Sequence, residues 1–156
     1  MLKSHFIYGV TGCVKHYMGV TSDKLTSRLG ASSHSSIGAG GMGTEMAETR
    51  FPTLNIVDAI WVNANPGRGP GTRYGDAART NVIAASADPV ALDCWAAKNI
   101  LIPAARRLGH STVASIDPDN TAPGSFGKWL RLSMAEMVRA GYQATVDEAG
   151  MNVYVA

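Results

Sequence analysis

The sequence has 156 residues, which fits one globular domain with a hydrophobic core of its own. Hydrophobic residues make up 46% and charged residues 17%, which excludes a disordered chain, and a net charge of only +2 gives no indication of nucleic-acid binding. No apolar run is long enough to span a membrane and no signal-peptide core is present, so we expect a cytoplasmic protein that does not bind membranes.

The N-terminal third predicts little regular structure. Residues 6–8 predict a short strand, and residues 10–18 predict a short helix that follows a turn at Gly9. Residues 21–50 are rich in serine and glycine, which disfavour a helix interior. We therefore predict a long loop here that leads into a short helix at residues 44–50.

The centre of the chain predicts two strands joined by a loop. Residues 54–62 are almost continuously apolar, which is typical of a strand in a sheet covered on both faces. The segment 63–80 contains several glycines and two prolines and predicts a second long loop. Residues 81–86 predict the next strand.

Helix signals dominate the C-terminal half. Asp88 and Pro89 predict an N-cap and a first helical residue, and we expect this helix to end near residue 101 because Pro103 follows. A further turn is predicted at residues 104–108. Residues 125–140 predict the strongest helix, capped by Ser125 and ended by Gly141. Its apolar stripe predicts a core face.

The predicted elements give a fold class. A strand is predicted at residues 151–155, and strands therefore alternate with helices along the chain. We predict an α/β fold: one layered domain over residues 1–156, with a mixed or mostly parallel sheet flanked by helices. Cys13 and Cys94 are far apart and in no metal-binding pattern, so we expect two free thiols.

Three stretches, in order and spacing, resemble one known family. The first resembles the family's Lys-Thr-His, Gly-Val-Thr, Lys-Asn and Gly pattern and reads Lys3-Ser4-His5, Gly9-Val10-Thr11, Lys15-His16 and Gly19. The second is residues 54–60 with the glycine-rich loop after them, and the third is residues 81–93. These stretches resemble the C-terminal part of the domain-of-unknown-function family 362, although His16 replaces the usual asparagine.

The resemblance implies possible partners but no reaction. Members of this family are often linked with iron–sulfur proteins, which implies an iron–sulfur partner and redox-linked metabolism. The family's N-terminal region has no counterpart before Met1. We therefore expect a sheet that is incomplete on its N-terminal side, with an exposed edge that a homo-oligomer or a partner chain covers.

Lys3, His5 and Lys15 form the first candidate site. Lys3 and His5 alternate, so in an extended segment both project to one face, and Lys15 follows a turn later. Two ammonium groups and an imidazole suit a small anionic ligand, with His5 and Lys15 as candidate catalytic groups and Lys3 as a binding group. The alternative is that His5 and Lys15 are structural hydrogen-bonding residues beside a turn.

Two aspartates form the second candidate site. Asp88 is first of all an N-cap, and it is also a candidate binding residue. Asp93 lies within an apolar helix, and a buried carboxylate needs a partner. We expect that partner to be Lys3, Lys15, His5 or an arginine, and we assign Asp93 a candidate catalytic role. An exposed position on the helix is the alternative for Asp93.

The loop after the first long strand is the third candidate. Asn63, Gly67, Arg68 and Gly69 follow a strand, where α/β sheets bind ligands, and glycine N–H groups with an arginine suit an anion. The glycines lack dinucleotide-binding spacing, so a plain connecting loop is the alternative.

The cofactor is unknown from sequence. His5, His34, Asp58 and Asp93 are candidate metal ligands only if the fold brings them together, because no local zinc spacing is present.

Two functions follow from these candidates, and the sequence does not decide whether the protein is an enzyme. One is an enzyme domain that binds an anionic small molecule or a metal. The other is a non-catalytic interaction module, or a fragment, that docks to a partner or self-associates.

Overall fold

The computed structural model of the chain describes residues 1–19, 33–67 and 74–154. Its strands are β1 (Lys3–His5), β2 (Gly9–Thr11), β3 (Asn55–Asn63) and β4 (Ala77–Ser86). They form one sheet in the order β2-β1-β3-β4, in which only β1 and β3 pair in parallel. The α/β prediction is confirmed, and the sheet is mixed rather than mostly parallel.

The N-terminal segment is a β-hairpin. Residues 6–8 were predicted to form a strand, but they are the turn between β1 and β2, where Tyr8 has a φ of 62° and Gly9 a φ of 75°. A Cβ atom at Gly9 would overlap the carbonyl oxygen of Ser115, so glycine is needed there. The predicted helix at residues 10–18 shrinks to α1 (Cys13–His16) and a 3₁₀ turn, Tyr17–Gly19.

Strands β3 and β4 form a long antiparallel pair with one bulge. The register changes between Ala59 and Trp61, where Thr80 and Asn81 of β4 lie opposite Ile60 alone. Asn81 adopts a φ of 57°, a conformation that asparagine tolerates. β4 begins before the predicted residue 81, so the predicted loop at 63–80 is shorter than expected.

One face of this strand pair is uncovered in the part of the chain that the structure describes. We call it the outward face, and its main side chains are Ile56, Asp58, Ile60, Trp61, Arg79 and Ile83. The expectation from residues 54–62 of a sheet covered on both faces is therefore wrong for these two strands. β3 alternates between buried and exposed side chains, and its exposed positions also carry large apolar residues, which hides the alternation in the sequence.

The segment predicted as a long loop contains two helices. They are α2 (Ser33–Gly38) and α3 (Gly41–Glu48), separated by Gly40 with a φ of 87°. Helix α3 begins earlier than the predicted residue 44, and it packs against the last helix at Gly43, where a Cβ atom would overlap the backbone of Ser133. Glycine marks close helix contact here rather than a loop. The remainder of the predicted loop lies outside the described residues.

Asp88 begins the longest helical segment. It runs through α4 (Pro89–Ala96), a π-helical turn (Ala97–Leu101) and α5 (Ile102–Arg107). Pro103 was predicted to end the helix, but the π turn directly before it accommodates the missing N–H, and the helix continues. Gly109, with a φ of 86°, follows its end.

The last helix, α6 (Phe126–Arg139), is as predicted. The Ser125 hydroxyl accepts a hydrogen bond from the N–H of Lys128, and Gly141 has a φ of 90°. Phe126, Trp129, Leu130, Ser133 and Met137 are buried and Met134 is partly buried, so the stripe is core. The strand predicted at 151–155 is wrong for residues 151–154, which form no ladder.

The core lies between the inner face of the sheet and the helices. Val57, Ala59 and Val62 of β3 point into it, as do most residues of α4. None of the helices in the described ranges is both long and apolar enough to cross a membrane. Cys13 and Cys94 are free thiols, as predicted.

Candidate functional site

The β1–β2 turn brings His5 and Lys15 to one peptide unit. The Nδ1 atom of His5 lies 3.0 Å from the nitrogen of Ile7 and accepts its hydrogen bond, and it is 3.1 Å from the carbonyl oxygen of the same residue. Lys15 reaches that carbonyl oxygen from α1, with a bond of 2.8 Å from Nζ. The turn is also anchored by Trp129, whose Nε1 donates to the carbonyl of Tyr8 at 2.8 Å.

Lys15 is a buried cation. Only 3% of its surface is exposed, and burial, with a smaller contribution from the charge of Lys3, lowers its pKa to about 8. It therefore remains protonated at pH 7. An ammonium group has three donors, and the bond to Ile7 uses one of them. Within the described ranges, no carboxylate forms an ion pair with Lys15 or Lys3.

The buried hydroxyl of Thr11 lies on the same face of the hairpin as the side chain of Lys3. Lys3 pairs directly with Thr11 across the antiparallel ladder, so the two side chains project to the same side. Thr11 is 6% exposed, and its Oγ1 has no hydrogen-bond partner among the described residues. A buried hydroxyl without a partner is unfavourable. We call Lys3, Thr11 and Lys15 the cationic cluster, because they join two ammonium groups and one unsatisfied donor.

Asp93 holds the helix that carries Lys15. Its carboxylate accepts hydrogen bonds from the N–H groups of Cys13, at 2.6 Å to Oδ1, and Val14, at 2.9 Å to Oδ2. Complete burial raises the pKa of Asp93 to about 7, although these two backbone donors act in the opposite direction. The prediction that a lysine, histidine or arginine side chain is its partner is wrong, because the first turn of α1 supplies the donors.

Gly12 makes this arrangement possible. A Cβ atom on Gly12 would lie 2.6 Å from Cγ of Asp93, a distance that real Cβ atoms do not show. Glycine therefore lets the carboxylate approach the start of α1. Burial, followed by the charge of Asp93, raises the pKa of the Cys13 thiol.

His16 is exposed and is the last residue of α1, directly after Lys15. Partial burial of its imidazole, then the positive charges of the terminal amine and Lys3, lower the pKa of His16. A cavity of about 230 Å³ lies beside it and is lined by Met1, Gly12, Cys13, His16 and residues 54–57. His16, which replaces the asparagine usual in the family pattern, therefore lines a cavity.

The other predicted binding residues either do not belong to the cationic cluster or lie outside the residues that the structure describes. Asp88 is an N-cap: Oδ1 accepts from the N–H groups of Val90 and Ala91, and Oδ2 accepts from that of Thr145. Burial raises the pKa of Asp88 against these bonds. Asn63 pairs with Lys3 in the sheet, while its Oδ1 accepts a bond from the hydroxyl of Ser4.

The glycine-rich loop is described only in part. Gly67 has a φ of 75° and no atom within 4 Å of a Cβ built on it, whereas the predicted binding residues Arg68 and Gly69 lie outside the described residues. The anion role of this loop therefore stays a prediction.

The predicted metal ligands do not form a cluster among the described residues. Asp58 is exposed on the outward face, where its Oδ1 accepts from the N–H of Ile60, whereas Asp93 is buried in the core. The side chain of His34 lies outside the description. No group of three histidine, cysteine or acidic side chains in the described part of the chain could hold a metal ion.

Sequence reasoning missed two residues of the site. Thr11 and Gly12 lie in the segment Thr11-Gly12-Cys13, inside a stretch predicted to be a helix. A glycine directly before a short helix is a signal that another group approaches the backbone closely. The sequence does not show that the approaching group is Asp93, which is about eighty residues away along the chain.

This α/β domain, with a cationic cluster on its N-terminal hairpin, belongs to the family described as Domain of unknown function (DUF362). The family model matches residues 1–98, which contain the four strands of the described ranges, α1 and α4, and every residue of the cationic cluster. Helix α6 lies beyond the match. No curated protein and no solved structure matches the chain.

Proposed function

We propose that this domain binds a small anion, of the carboxylate or phosphate class, at the cationic cluster. The observation that carries the proposal is Lys15: a protonated, buried ammonium with one hydrogen bond to the protein and no ion pair in the described ranges. Desolvated charges are stable when paired. An anion that accepts from Lys15 would supply the missing charge.

The neighbouring groups support the same ligand class. Lys3 adds a second positive charge close enough to lower the pKa of Lys15, and the Thr11 hydroxyl adds a neutral donor. A carboxylate or phosphate has several acceptor lone pairs, so one ligand accepts hydrogen bonds from more than one donor. The proposal concerns binding; a reaction, a redox role and the iron–sulfur partner implied by the family resemblance stay predictions.

Calorimetric titration with inorganic phosphate and with acetate tests the proposal. We expect the wild-type domain to bind one or both, and Lys15→Met to weaken binding by at least about tenfold, because each charge-assisted hydrogen bond contributes about 1.5–3 kcal/mol. The matched control is Lys128→Met, an exposed lysine on α6, which should bind as the wild type does.

Folding is separable from binding in this experiment. Lys15→Met removes a desolvated charge, so we expect it to remain folded, and circular dichroism checks this. Thr11→Val provides a second variant that keeps the side-chain shape and removes only the hydroxyl. Equal binding by wild type and both variants, or no binding of either anion by the folded wild type, would contradict the proposal.

A further inference from the structure

Strand β4 is an edge of the sheet in the part of the chain that the structure describes, and a cavity of about 890 Å³ follows it. Neighbouring side chains of a strand point to opposite faces, so a cavity against one face is lined by every second residue. This cavity is lined by all six consecutive residues 81–86. It therefore runs along the backbone of β4, and we call it the edge groove. The cationic cluster contributes no residue to it.

The register of the sheet shows which backbone groups of β4 face the edge groove. The carbonyl oxygen of Asp58 accepts a hydrogen bond from the N–H of Leu2, so the backbone groups of Asp58 point to the side of β3 that is opposite β4. Asp58 pairs with Ile83, and the residues of such a pair both direct their N–H and C=O groups away from the partner strand. Ile83, and Ala85 two residues later, therefore present these groups to the edge groove. No backbone group in the described ranges bonds to them there.

This part of β4 lacks the features that protect an exposed edge. Natural edge strands carry charges or prolines, or twist away at a bulge. The bulge of β4 lies at Thr80 and Asn81, and residues 82–86 after it are Val-Ile-Ala-Ala-Ser, with no charge and no proline. Such an edge is a template for pairing with another extended backbone.

The dimensions of the edge groove match one strand. Six residues of β4 extend for about 20 Å, so a volume of about 890 Å³ corresponds to a cross-section of roughly 45 Å². A strand within a sheet occupies about 4.8 Å between its neighbours and about 10 Å through the layer, which is roughly 48 Å². The groove therefore has room for one further strand of about six residues.

The remaining lining of the edge groove is held in place and is almost uncharged. It includes residues 142–145 and 150–154, and the N–H of Thr145 donates to the carboxylate of Asp88 at 2.8 Å. Among the described residues that line the groove, Asp88 is the one with a charge, and both of its oxygens accept backbone hydrogen bonds. Trp95 and Tyr142 add apolar surface. We propose that the edge groove binds an extended, uncharged peptide segment, which adds a strand to the sheet beside β4.

Fluorescence polarisation with a labelled hexapeptide of alternating valine and threonine, blocked at both ends, tests the proposal on the full chain. We expect saturable binding, and no binding of the same peptide with every backbone nitrogen methylated, because it has no N–H to donate. Ala85→Pro removes an N–H that faces the groove and leaves the ladder with β3 intact, a change that edge strands tolerate. It should weaken binding by at least about tenfold, because a carbonyl of the peptide loses its donor. Ala85→Ser keeps the N–H and should bind as the wild type does.

A second variant blocks the groove without a change in β4. A Cβ atom on Gly150 would meet only the side chain of Thr145, at 3.9 Å, and both residues line the groove. Gly150→Trp should therefore fill the groove and abolish binding. The matched control is Gly75→Trp, outside the groove, where a Cβ atom meets nothing within 4 Å.

The outcomes separate strand addition from other kinds of binding. Circular dichroism establishes that each variant is folded, and Gly150→Trp decides the test if Ala85→Pro is not. A folded wild type that binds no peptide at millimolar concentration overturns the proposal. Equal binding of the methylated peptide also overturns it, because the groove would then recognise side chains rather than a backbone. Binding that Gly150→Trp leaves unchanged overturns it too, because the peptide would then occupy another surface.

Discussion

Replacing Gly12 with alanine should destabilise the domain because it separates Asp93 from α1. The new Cβ atom would lie 2.6 Å from Cγ of Asp93, so the carboxylate must move away from the N–H groups of Cys13 and Val14. A fully buried carboxylate would then lose both donors. A hydrogen bond to a charged group contributes about 1.5–3 kcal/mol, so losing both should cost about 3–6 kcal/mol.

That loss is a large part of the stability of a domain of this size, which is typically about 5–15 kcal/mol. Denaturant unfolding followed by tryptophan fluorescence measures it directly. We expect the midpoint to fall strongly for Gly12→Ala and to stay almost unchanged for Gly75→Ala, where a Cβ atom meets nothing within 4 Å. In an Asp93→Ala background, Gly12→Ala should cost less than half as much. A loss below about 1 kcal/mol in the wild-type background would refute this reasoning.

Three further predictions concern single groups. Thr11→Val should stabilise the domain by about 1–3 kcal/mol in chemical unfolding, because it removes a buried hydroxyl that has no partner in the described structure; destabilisation would contradict this. Asp88→Ala should cost about 2 kcal/mol, and Asp88→Asn less, because the amide oxygen still accepts from Val90 and Ala91; equal losses would argue against the cap. Burial raises the pKa of Asp93 to about 7, so the folded state binds more protons than the unfolded state between about pH 4 and 7. Over that window the contribution of Asp93 to the free energy of unfolding should fall as pH rises. The difference in unfolding free energy between wild type and Asp93→Asn, measured at each pH, should show that slope. A difference that does not change with pH would contradict the prediction.

Local signals in the sequence predicted most boundaries of the two C-terminal helices correctly. Asp88 with Pro89, and Ser125 with Gly141, are capping residues whose effect depends on neighbours a few positions away. The structure confirms both starts. Pro103 is the exception, because the π turn before it absorbs the proline within the helix.

Contacts between distant segments explain most of the errors. Residues 6–8 have the side chains of a strand, but the bond from Trp129 to Tyr8, and the approach of Ser115 to Gly9, select a turn. The glycines of α3 looked like a loop because the contact with Ser133 is not visible in the local sequence. Tertiary packing outweighed local propensity in each case.

In the candidate site, too, the local pattern was predicted and the contacts between distant segments were not. The pattern of Lys3, His5 and Lys15 predicted one anion-binding site, and the structure brings His5 and Lys15 to the peptide unit of Ile7. The hydrogen bonds of His5 and Lys15 also fit the alternative that they are structural residues beside a turn. Asp93 was expected to pair with a cationic side chain. Its bonds to the first turn of α1 give it a role in positioning Lys15 instead.

The protonation of Lys15, with and without an anion, tests the central claim most directly. NMR titration of the Lys15 side chain should give a pKa of about 8 in the free protein, lowered mainly by burial. Addition of inorganic phosphate or acetate should raise this pKa, because a bound anion stabilises the ammonium form. A Lys15 pKa that does not change at saturating concentrations of either anion would contradict the account.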